Sequence, residues 1–449
     1  MENRRTFLKA AAATAAVSRS VLGANDRVQL GLIGCGTRGT MDSGFLLRHK
    51  DCVFVAACDV AKSRLDAAIP RLSQQGGGGK VDAYGDYRRI LERKDIDAVL
   101  VTTPDHWHSP ITVEACAAGK DVYVEKPISN TIPAAQKMVQ AARQYNRVVQ
   151  MGVQQRQGEA FKEAAKLVQD GLLGKVTHVE LVYEGGYART AEPDQDPPAD
   201  LDWEMFQGPA PRHPYRPSRQ RSWRAYYDYG GGLVTDWGVH LADVANWYMK
   251  NDLGAPLLTS AAAQYVAVQD PRHEQVPDAT MIVWQYENYV MSFTNSVIPN
   301  PDFPFHGTYF FGPRGMLMVN RSGYIIRPAA RRMGPPPNAM AGRGGVPGAA
   351  PGGAPSGAPA GAQAGGRGRG MPPQEPPIEA RVRPFAENYR DDPDTIAHAR
   401  NFLDCVKSRQ LPVGDIDIGF HSSLPCLLGL LAIQQGRTIA WDGKAAKAV

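Results

Sequence analysis

From Arg27 onward, apolar runs of strand length alternate with stretches whose apolar residues recur at helical spacing. Residues 28–34 and 52–59 are apolar and rich in β-branched side chains, and the segment 37–49 between them has the length of a helix. The runs 96–103 and 121–125 repeat the pattern around a helical stretch at 111–118, and a further helix near 134–145 leads into 147–153. Such alternation predicts a parallel sheet covered by helices, because parallel neighbours need crossover connections of helix length. Residues 27–155 therefore read as a doubly wound α/β domain.

Beyond residue 155 the texture changes. Segments 176–183, 280–284 and 289–294 are read as longer strands with alternating faces, which predicts a mostly antiparallel sheet whose polar face can line a cleft. Residues 328–377 are dominated by Gly, Pro and Ala and cannot bury enough apolar surface to offset chain entropy. They predict a disordered insert within a second domain spanning 156–449. Helical spacing returns at 395–407, and a final helix is expected within 425–435.

Gly34-Cys35-Gly36-Thr37-Arg38-Gly39 is a G-x-G-x-x-G run set between the first expected strand and the first expected helix. The first glycine allows a tight turn, the second lets the backbone approach a pyrophosphate, and the third lets helix and strand pack closely. Asp59 ends the second strand 20 residues after Gly39, where a carboxylate accepts hydrogen bonds from the adenosine ribose hydroxyls. The pattern predicts a Rossmann domain that binds a nicotinamide dinucleotide. A carboxylate at this point repels a 2′-phosphate, which favours NAD; Lys62 and Arg64 close by leave NADP open.

Val124-Glu125-Lys126-Pro127 follows the fourth apolar run, and ligands of open α/β sheets bind beyond the carboxyl ends of the strands. The run YVEKPIS resembles the Glu-Lys-Pro motif of the Gfo/Idh/MocA oxidoreductases, the group of glucose–fructose oxidoreductase and inositol dehydrogenase. TTPDHWHSP at 102–110 and Asp236-x-x-x-His240 within GGGLVTDWGVHLADV match the same group. The resemblance implies an α/β second domain built on a large open sheet, a sugar or polyol substrate, and a homo-oligomer formed through that sheet. It also implies that Lys126, Asp236 and His240 surround the reacting hydroxyl. Together with the glycine motif, it makes the cofactor-facing set Gly34, Gly36, Thr37, Arg38, Gly39, Asp59, Thr103, Pro104, His106, His108, Glu125 and Lys126.

The chemistry asks for these residue types on its own account. Oxidising a secondary alcohol needs a base for the hydroxyl proton while hydride departs, and a nearby cation to stabilise the developing alkoxide. Asp236 and His240 stand one helical turn apart and so are expected to face the same way. His240 can take the proton, Asp236 can orient it or bind a substrate hydroxyl, and Lys126 can supply the charge. Each has a plainer alternative. An Asp-x-x-x-His pair is commonly a helix-surface hydrogen bond. His106 and His108 form a His-x-His pair that a metal can use, but without third and fourth ligands at zinc-like spacing no metal is expected. Arg221, Trp223 and Arg224 precede the glycine run and can close on a substrate or simply pack.

Composition and charge narrow the field. The 43% hydrophobic and 21% charged residues are ordinary for a globular protein, and no uninterrupted apolar run reaches the roughly 18 residues of a membrane span. The formal charge of +5 is local: +3 lies in the first 24 residues and +5 in 327–375, which leaves the remainder at −3. No folded basic surface is implied, and nucleic-acid binding is not expected. Asn3-Arg4-Arg5-Thr6-Phe7-Leu8-Lys9 and the Ala-rich stretch after it resemble a twin-arginine export signal, so residues 1–26 are read as a leader and the mature protein as periplasmic. Six cysteines without C-x-x-C spacing read as small buried hydrophobes.

The resulting expectation is an NAD(P)-dependent sugar or polyol oxidoreductase with tightly held cofactor. Two rivals stand beside it. One is an NAD-dependent, redox-neutral enzyme that cleaves glycosides by transient oxidation and elimination, as some members of this superfamily do. The other is a sugar-binding protein without catalysis, against which intact Lys126, Asp236 and His240 argue.

Overall fold

The computed structural model describes residues 27–187, 192–266, 274–296, 306–329, 381–384 and 392–449. The leader at 1–26 and residues 330–377 of the Gly/Pro/Ala-rich segment lie outside the described residues. Pro328, taken above as the start of that segment, instead closes a strand.

Six strands form the first sheet: β1 (Val28–Ile33), β2 (Cys52–Cys58), β3 (Asp82–Tyr84), β4 (Ala98–Val101), β5 (Asp121–Val124) and β6 (Val149–Met151). All pair in parallel in the order β3-β2-β1-β4-β5-β6. Every residue of β4 and β5 is buried, which is why they read as unbroken apolar runs rather than alternating ones. Helices α1 (Thr37–Leu46), α2 (Lys62–Gln75), α3 (Asp105–Ala117) and α4 (Ile132–Gln144) make the crossovers. The strand order reverses between β1 and β4, so a crevice opens beyond their carboxyl ends.

The second sheet holds ten strands. Its members are β7 (His178–Glu184), β8 (Leu258–Gln264), β9 (Ala279–Gln285), β10 (Val290–Ser296), β11 (Gly307–Gly312), β12 (Gly315–Asn320), β13 (Gly323–Pro328), β14 (Arg381–Pro384), β15 (Ile439–Trp441) and β16 (Ala446–Ala448). They run β14-β13-β12-β11-β7-β10-β9-β8-β15-β16, antiparallel except where β7 meets β10. Helix α5 (Glu159–Gln169) joins the two sheets in sequence, and α6 (Gly232–Asp236) and α7 (Gly238–Tyr248) follow β7. In β9, Ile282 and Trp284 are buried while Met281 and Val283 are exposed, so one face carries the core and the other lies open.

Two C-terminal helices tie the halves together. α8 (Pro393–Ser408) comes from the segment assigned to the second domain, yet its Phe402 and Leu403 share a core with Val28, Leu30 and Tyr123 of the first sheet. Arg400 and Lys407 add ion pairs to Asp51 at 2.7 and 2.5 Å. Phe402→Ala is expected to destabilise the protein by about 3–5 kcal/mol, read from the shift in denaturation midpoint. A change within about 0.5 kcal/mol, as for surface substitutions, would show that α8 contributes no core.

α9 (Ile416–Gln435) starts well before the helix expected at 425–435. Asp415 caps it by accepting from the Asp417 N–H, and Pro425 lies inside rather than at its start. Proline cannot donate to the carbonyl four residues back. That carbonyl, on His421, instead accepts from Asn246 Nδ2 of α7 at 3.1 Å. Among the described residues α9 is the one helix long and apolar enough to cross a membrane. Its Leu424 and Leu428 sit in the same core as Val124, Met151, Trp284 and Phe293 of the two sheets.

Candidate active site

The turn after β1 shows why its glycines are there. Gly34 has φ +96°, and a side chain on it would lie 2.8–2.9 Å from the Thr102 and Thr103 backbone of the neighbouring strand end. A Cβ on Gly39 would lie 2.0 Å from the Gly34 carbonyl, so α1 packs against the turn only because that position is bare. Gly36 differs: its nearest neighbour would be Arg64 Nη1 at 3.6 Å, so the space in front of it is clear of protein. No side chain caps α1 and no acidic residue stands in its first turn. Free N–H groups at a helix start, facing open space, fit the pyrophosphate of a dinucleotide.

A cavity of about 230 Å³ opens from this turn. Asp59 lines it, with Oδ2 accepting from the Cys35 N–H at 2.7 Å and Oδ1 from the Ala61 N–H at 2.8 Å. Burial raises its pKa, while these backbone bonds and Arg64 pull the other way. Each carboxylate oxygen keeps a lone pair for a ribose hydroxyl. Arg64 lines the same cavity, whereas Lys62 turns outward and pairs with Asp66 at 2.5 Å.

Thr103, Pro104, His108, Glu125 and Lys126 line the other end, joined by Asp105 and Trp107. His108 lies between the two loops that meet there, with Nε2 2.9 Å from the Thr103 carbonyl and Nδ1 2.6 Å from the Pro127 carbonyl; burial lowers its pKa, and the neutral ring has one N–H to donate to one of the two. His106 does not share this position. Its Nε2 bonds the Phe206 carbonyl at 3.0 Å, its ring lies 5.0 Å from Tyr229, and burial pushes its pKa down to about 4. His106 is thus a packing residue that fastens the loop to the second half, not a lining residue: two steps along α3, the histidines point to different neighbours. Among the described residues no group of three His, Cys, Asp or Glu could hold a metal, and all six cysteines are free and buried.

Arg38 and Glu125 meet in the cavity wall. Arg38 Nε lies 3.0 Å from Asp42 Oδ2 and 3.2 Å from Glu125 Oε1, so one guanidinium serves two buried carboxyl groups. Burial drives the Asp42 pKa well up, with Arg38 opposing. Burial also works to raise Glu125, but Arg38 and Lys126 outweigh it and leave Glu125 below its usual value.

Lys126 reaches across to the second half of the chain. Its Nζ donates to the Asp236 carboxylate and to the Asp236 main-chain carbonyl, the latter at 2.9 Å. Tyr187 donates to Asp236 Oδ2 at 2.5 Å and Arg224 Nε approaches Oδ1 at 3.2 Å. Burial opposes ionisation of Asp236, yet Lys126 and Arg224 prevail and hold it well below the ordinary carboxylate range. Arg221, Trp223 and Arg224 all line the cavity, and Arg224 lies over the Trp223 ring.

His240 is buried close by, but not as the four-residue spacing suggests. α6 ends at Asp236 and α7 begins at Gly238, so a helix break at Trp237 separates them. His240 Nδ1 has no hydrogen-bond partner, and Nε2 is 3.4 Å from Arg321 Nη2. Asp236 therefore does not orient His240 through a hydrogen bond. Burial, then Lys126 and Arg321, hold the His240 pKa well below its usual value.

Four residues of this region escaped sequence reasoning. Asp105 stands in the quoted TTPDHWHSP run; buried and lining the cavity, it has its pKa driven well up by desolvation. Tyr187 and Arg321 carry no local signal, since their partners lie far away in sequence, and Asp42, one turn after Arg38, reads as an ordinary pair on a helix.

Comparison with known proteins agrees with this architecture. The chain matches the family models described as "Oxidoreductase family, NAD-binding Rossmann fold" over residues 28–153 and "Oxidoreductase family, C-terminal alpha/beta domain" over 157–318. A glycosyl hydrolase family 109 protein of Shewanella sp. (strain W3-18-1) is 28% identical over 209 residues, 40% of this chain and 46% of the relative. The chain thus aligns with less than half the length of that relative. In fold it is similar to the WlbA dehydrogenase of Bordetella pertussis in complex with NADH and UDP-GlcNAcA (TM-score 0.61, 16% identity, 93% and 98% of the two chains). It is also similar to an aldose-aldose oxidoreductase of Caulobacter crescentus complexed with glycerol (TM-score 0.60, 19% identity, 92% and 100%). With its NAD-binding Rossmann domain and its large mostly antiparallel sheet, the chain belongs to the Gfo/Idh/MocA oxidoreductase family.

Proposed function

We propose that the protein oxidises a secondary hydroxyl of a sugar or polyol with NAD as hydride acceptor. The observation that carries the reading is the meeting of Lys126, at the end of β5 on the cofactor cavity, with Asp236 of the second half. Bound NAD supplies a two-electron acceptor, so that the alcohol loses hydride from its carbon and a proton from its oxygen and becomes a carbonyl. Lys126 stabilises the developing alkoxide, Asp236 holds Lys126 in place, and the hydroxyl proton passes into the group formed by Lys126, Asp236 and His240. Thr103, Pro104, His108 and Glu125 shape the nicotinamide end, and the turn from Gly34 to Gly39 holds the pyrophosphate. The test is a panel of sugars, cyclitols and glycosides followed for both nicotinamide absorbance and products. A ketose or lactone formed with NADH supports the proposal; no oxidation of any member overturns it.

Similarity to proteins named glycosyl hydrolase family 109 favours one second reading, redox-neutral cleavage of a glycoside through a transiently oxidised sugar. Released aglycone without net NADH distinguishes it. Asp59 favours NAD over NADP in either case. Asp59→Ser is expected to weaken NAD binding and narrow or invert the preference, with Arg64 left to meet a 2′-phosphate. A wild-type protein that already prefers NADP contradicts this assignment.

The leader-like residues 1–26 support export through the twin-arginine pathway to the periplasm. That pathway carries folded proteins, so NAD can travel bound and must then dissociate slowly. Nucleotide measured in the supernatant after denaturing protein purified without added nucleotide tests this: near-stoichiometric NAD supports retention, and an empty protein contradicts it. The open sheet face that exposes Met281 and Val283 supports a homo-oligomer.

A further inference from the structure

Between β7 and α6 the chain makes a long excursion, and residues 192–230 of it reach back to the first domain at two places. One lies directly beside Asp59. The Lys62 N–H donates to the Asp200 carbonyl at 2.8 Å and the Asp202 N–H to the Val60 carbonyl at 2.9 Å, so that Ala61 and Leu201 face each other across an antiparallel bridge. The other lies at the start of α3, where His106 Nε2 and Trp107 Nε1 each stand 3.0 Å from the Phe206 carbonyl. Gly208 has φ +49°, and a Cβ on it would lie 2.0 Å from Trp107 Cζ2, so the segment presses on that ring only because the position is bare. Leu201, Trp203 and Phe206 share a buried cluster with Ala61.

Behind these contacts the segment is fastened to its own half. The Tyr227 N–H donates to the Glu274 carbonyl at 3.1 Å, and the Val276 N–H to the Ala225 carbonyl at 2.7 Å. In front, Met205, Phe206, Gln220, Arg221, Trp223 and Arg224 line the same cavity as Gly34, Gly36 and Asp59. The cofactor cavity thus takes one wall from each half of the chain. The walls are joined at the ribose end, next to Asp59, and at the loop that follows β4.

We propose that residues 192–230 are a strap over the cofactor, so that NAD enters and leaves only when the attachments at Val60–Lys62 and at Trp107 open. Both attachments join protein to protein. Their strength therefore sets how often the strap opens, and with it the rate of exchange, while the glycine turn and Asp59 set affinity. The proposal rests on the proposed function only for where NAD lies, and it gives retention after export a physical cause.

The experiment combines Ala61→Cys with Leu201→Cys in the full-length protein and follows exchange of bound NAD against labelled NAD. The bonds flanking this bridge make it a non-hydrogen-bonded pair, whose Cα atoms stand about 4.5 Å apart, within reach of a disulfide. The six native cysteines are buried, so mild oxidation should act on the new pair. Oxidation is expected to slow NAD release at least about 100-fold, and dithiothreitol should restore the original rate in the same sample. Gly208→Ala, wedged against Trp107, should instead speed release and entry alike, each about tenfold, and leave Kd within about threefold. The disulfide decides the matter if Gly208→Ala does not fold. Unchanged exchange in protein whose disulfide is confirmed by mass overturns the strap, as does a Gly208→Ala protein that releases NAD faster but takes it up at the wild-type rate. In both cases NAD still binds and the cofactor assignment stands; a protein that binds no NAD in either redox state overturns both.

Discussion

Lys126→Ala is expected to bind NAD within about twofold of wild type and to turn over about 10²–10⁴ times more slowly. The separation follows from geometry. The glycine turn and Asp59 hold one end of the dinucleotide, while Lys126 Nζ is committed to Asp236 at the far end of the cavity. Removing the ammonium leaves a buried carboxylate with only Tyr187 and Arg224, so its pKa should rise toward the ordinary range. Breaking a buried pair also costs stability, on the order of 3–5 kcal/mol, and turnover must be compared at a temperature where both proteins are folded. NAD titration alongside single-turnover rates checks the prediction. Normal chemistry at saturating NAD would remove Lys126 from the reaction.

Gly36→Asp is expected to abolish measurable NAD binding, a loss of at least about 100-fold, without loss of stability. Gly36 has φ −69° and ψ −169°, a conformation open to any L-residue, and a Cβ there meets nothing closer than 3.6 Å. Aspartate is among the favoured N-cap residues, so it should accept from the free N–H groups of α1 and leave the helix as stable or slightly more so, by roughly a few tenths of a kcal/mol relative to glycine. Those N–H groups are the ones the pyrophosphate requires, and the new charge repels it. Calorimetric NAD titration and a thermal melt read the two effects separately. Retained affinity would mean that the pyrophosphate lies elsewhere.

The contrast between Gly36 and Arg321 shows what the chain makes legible. Local geometry writes itself into short patterns: the turn from Gly34 to Gly39 needs missing side chains, and Asp59 and Glu125-Lys126 fall at strand ends because parallel strands are buried runs with sharp limits. The open face of β9 is hidden in the sequence, because Met281 and Val283 on it are as apolar as the buried Ile282 and Trp284 beside them. Contacts between distant segments leave no trace either. Arg321 reaches His240 from a hairpin turn, Tyr187 reaches Asp236 from the end of β7, and Asp42 finds Glu125 through Arg38. Helical spacing misled where the helix stops, because Asp236 and His240 are four residues apart but flank a break. His106 and His108 look alike in sequence, and only packing assigns one to Phe206 and the other to the cofactor loops. The domain-spanning role of α8 was hidden for the same reason: an amphipathic stripe says that a helix is covered, not by which sheet.

The most direct test of the central claim is isotope transfer in a single turnover. Sugars and polyols deuterated at the carbinol carbon are incubated with wild-type protein and NAD, and the nucleotide is analysed by mass. Hydride transfer at the Lys126–Asp236 end of the cavity predicts deuterium on the nicotinamide for at least one substrate, lasting when the oxidised sugar is released and transient when it is cleaved and re-reduced, and arriving about 10²–10⁴ times more slowly with Lys126→Ala. Products formed with no label on the nicotinamide at any time in the turnover, or label arriving equally fast with Lys126→Ala, would contradict the account.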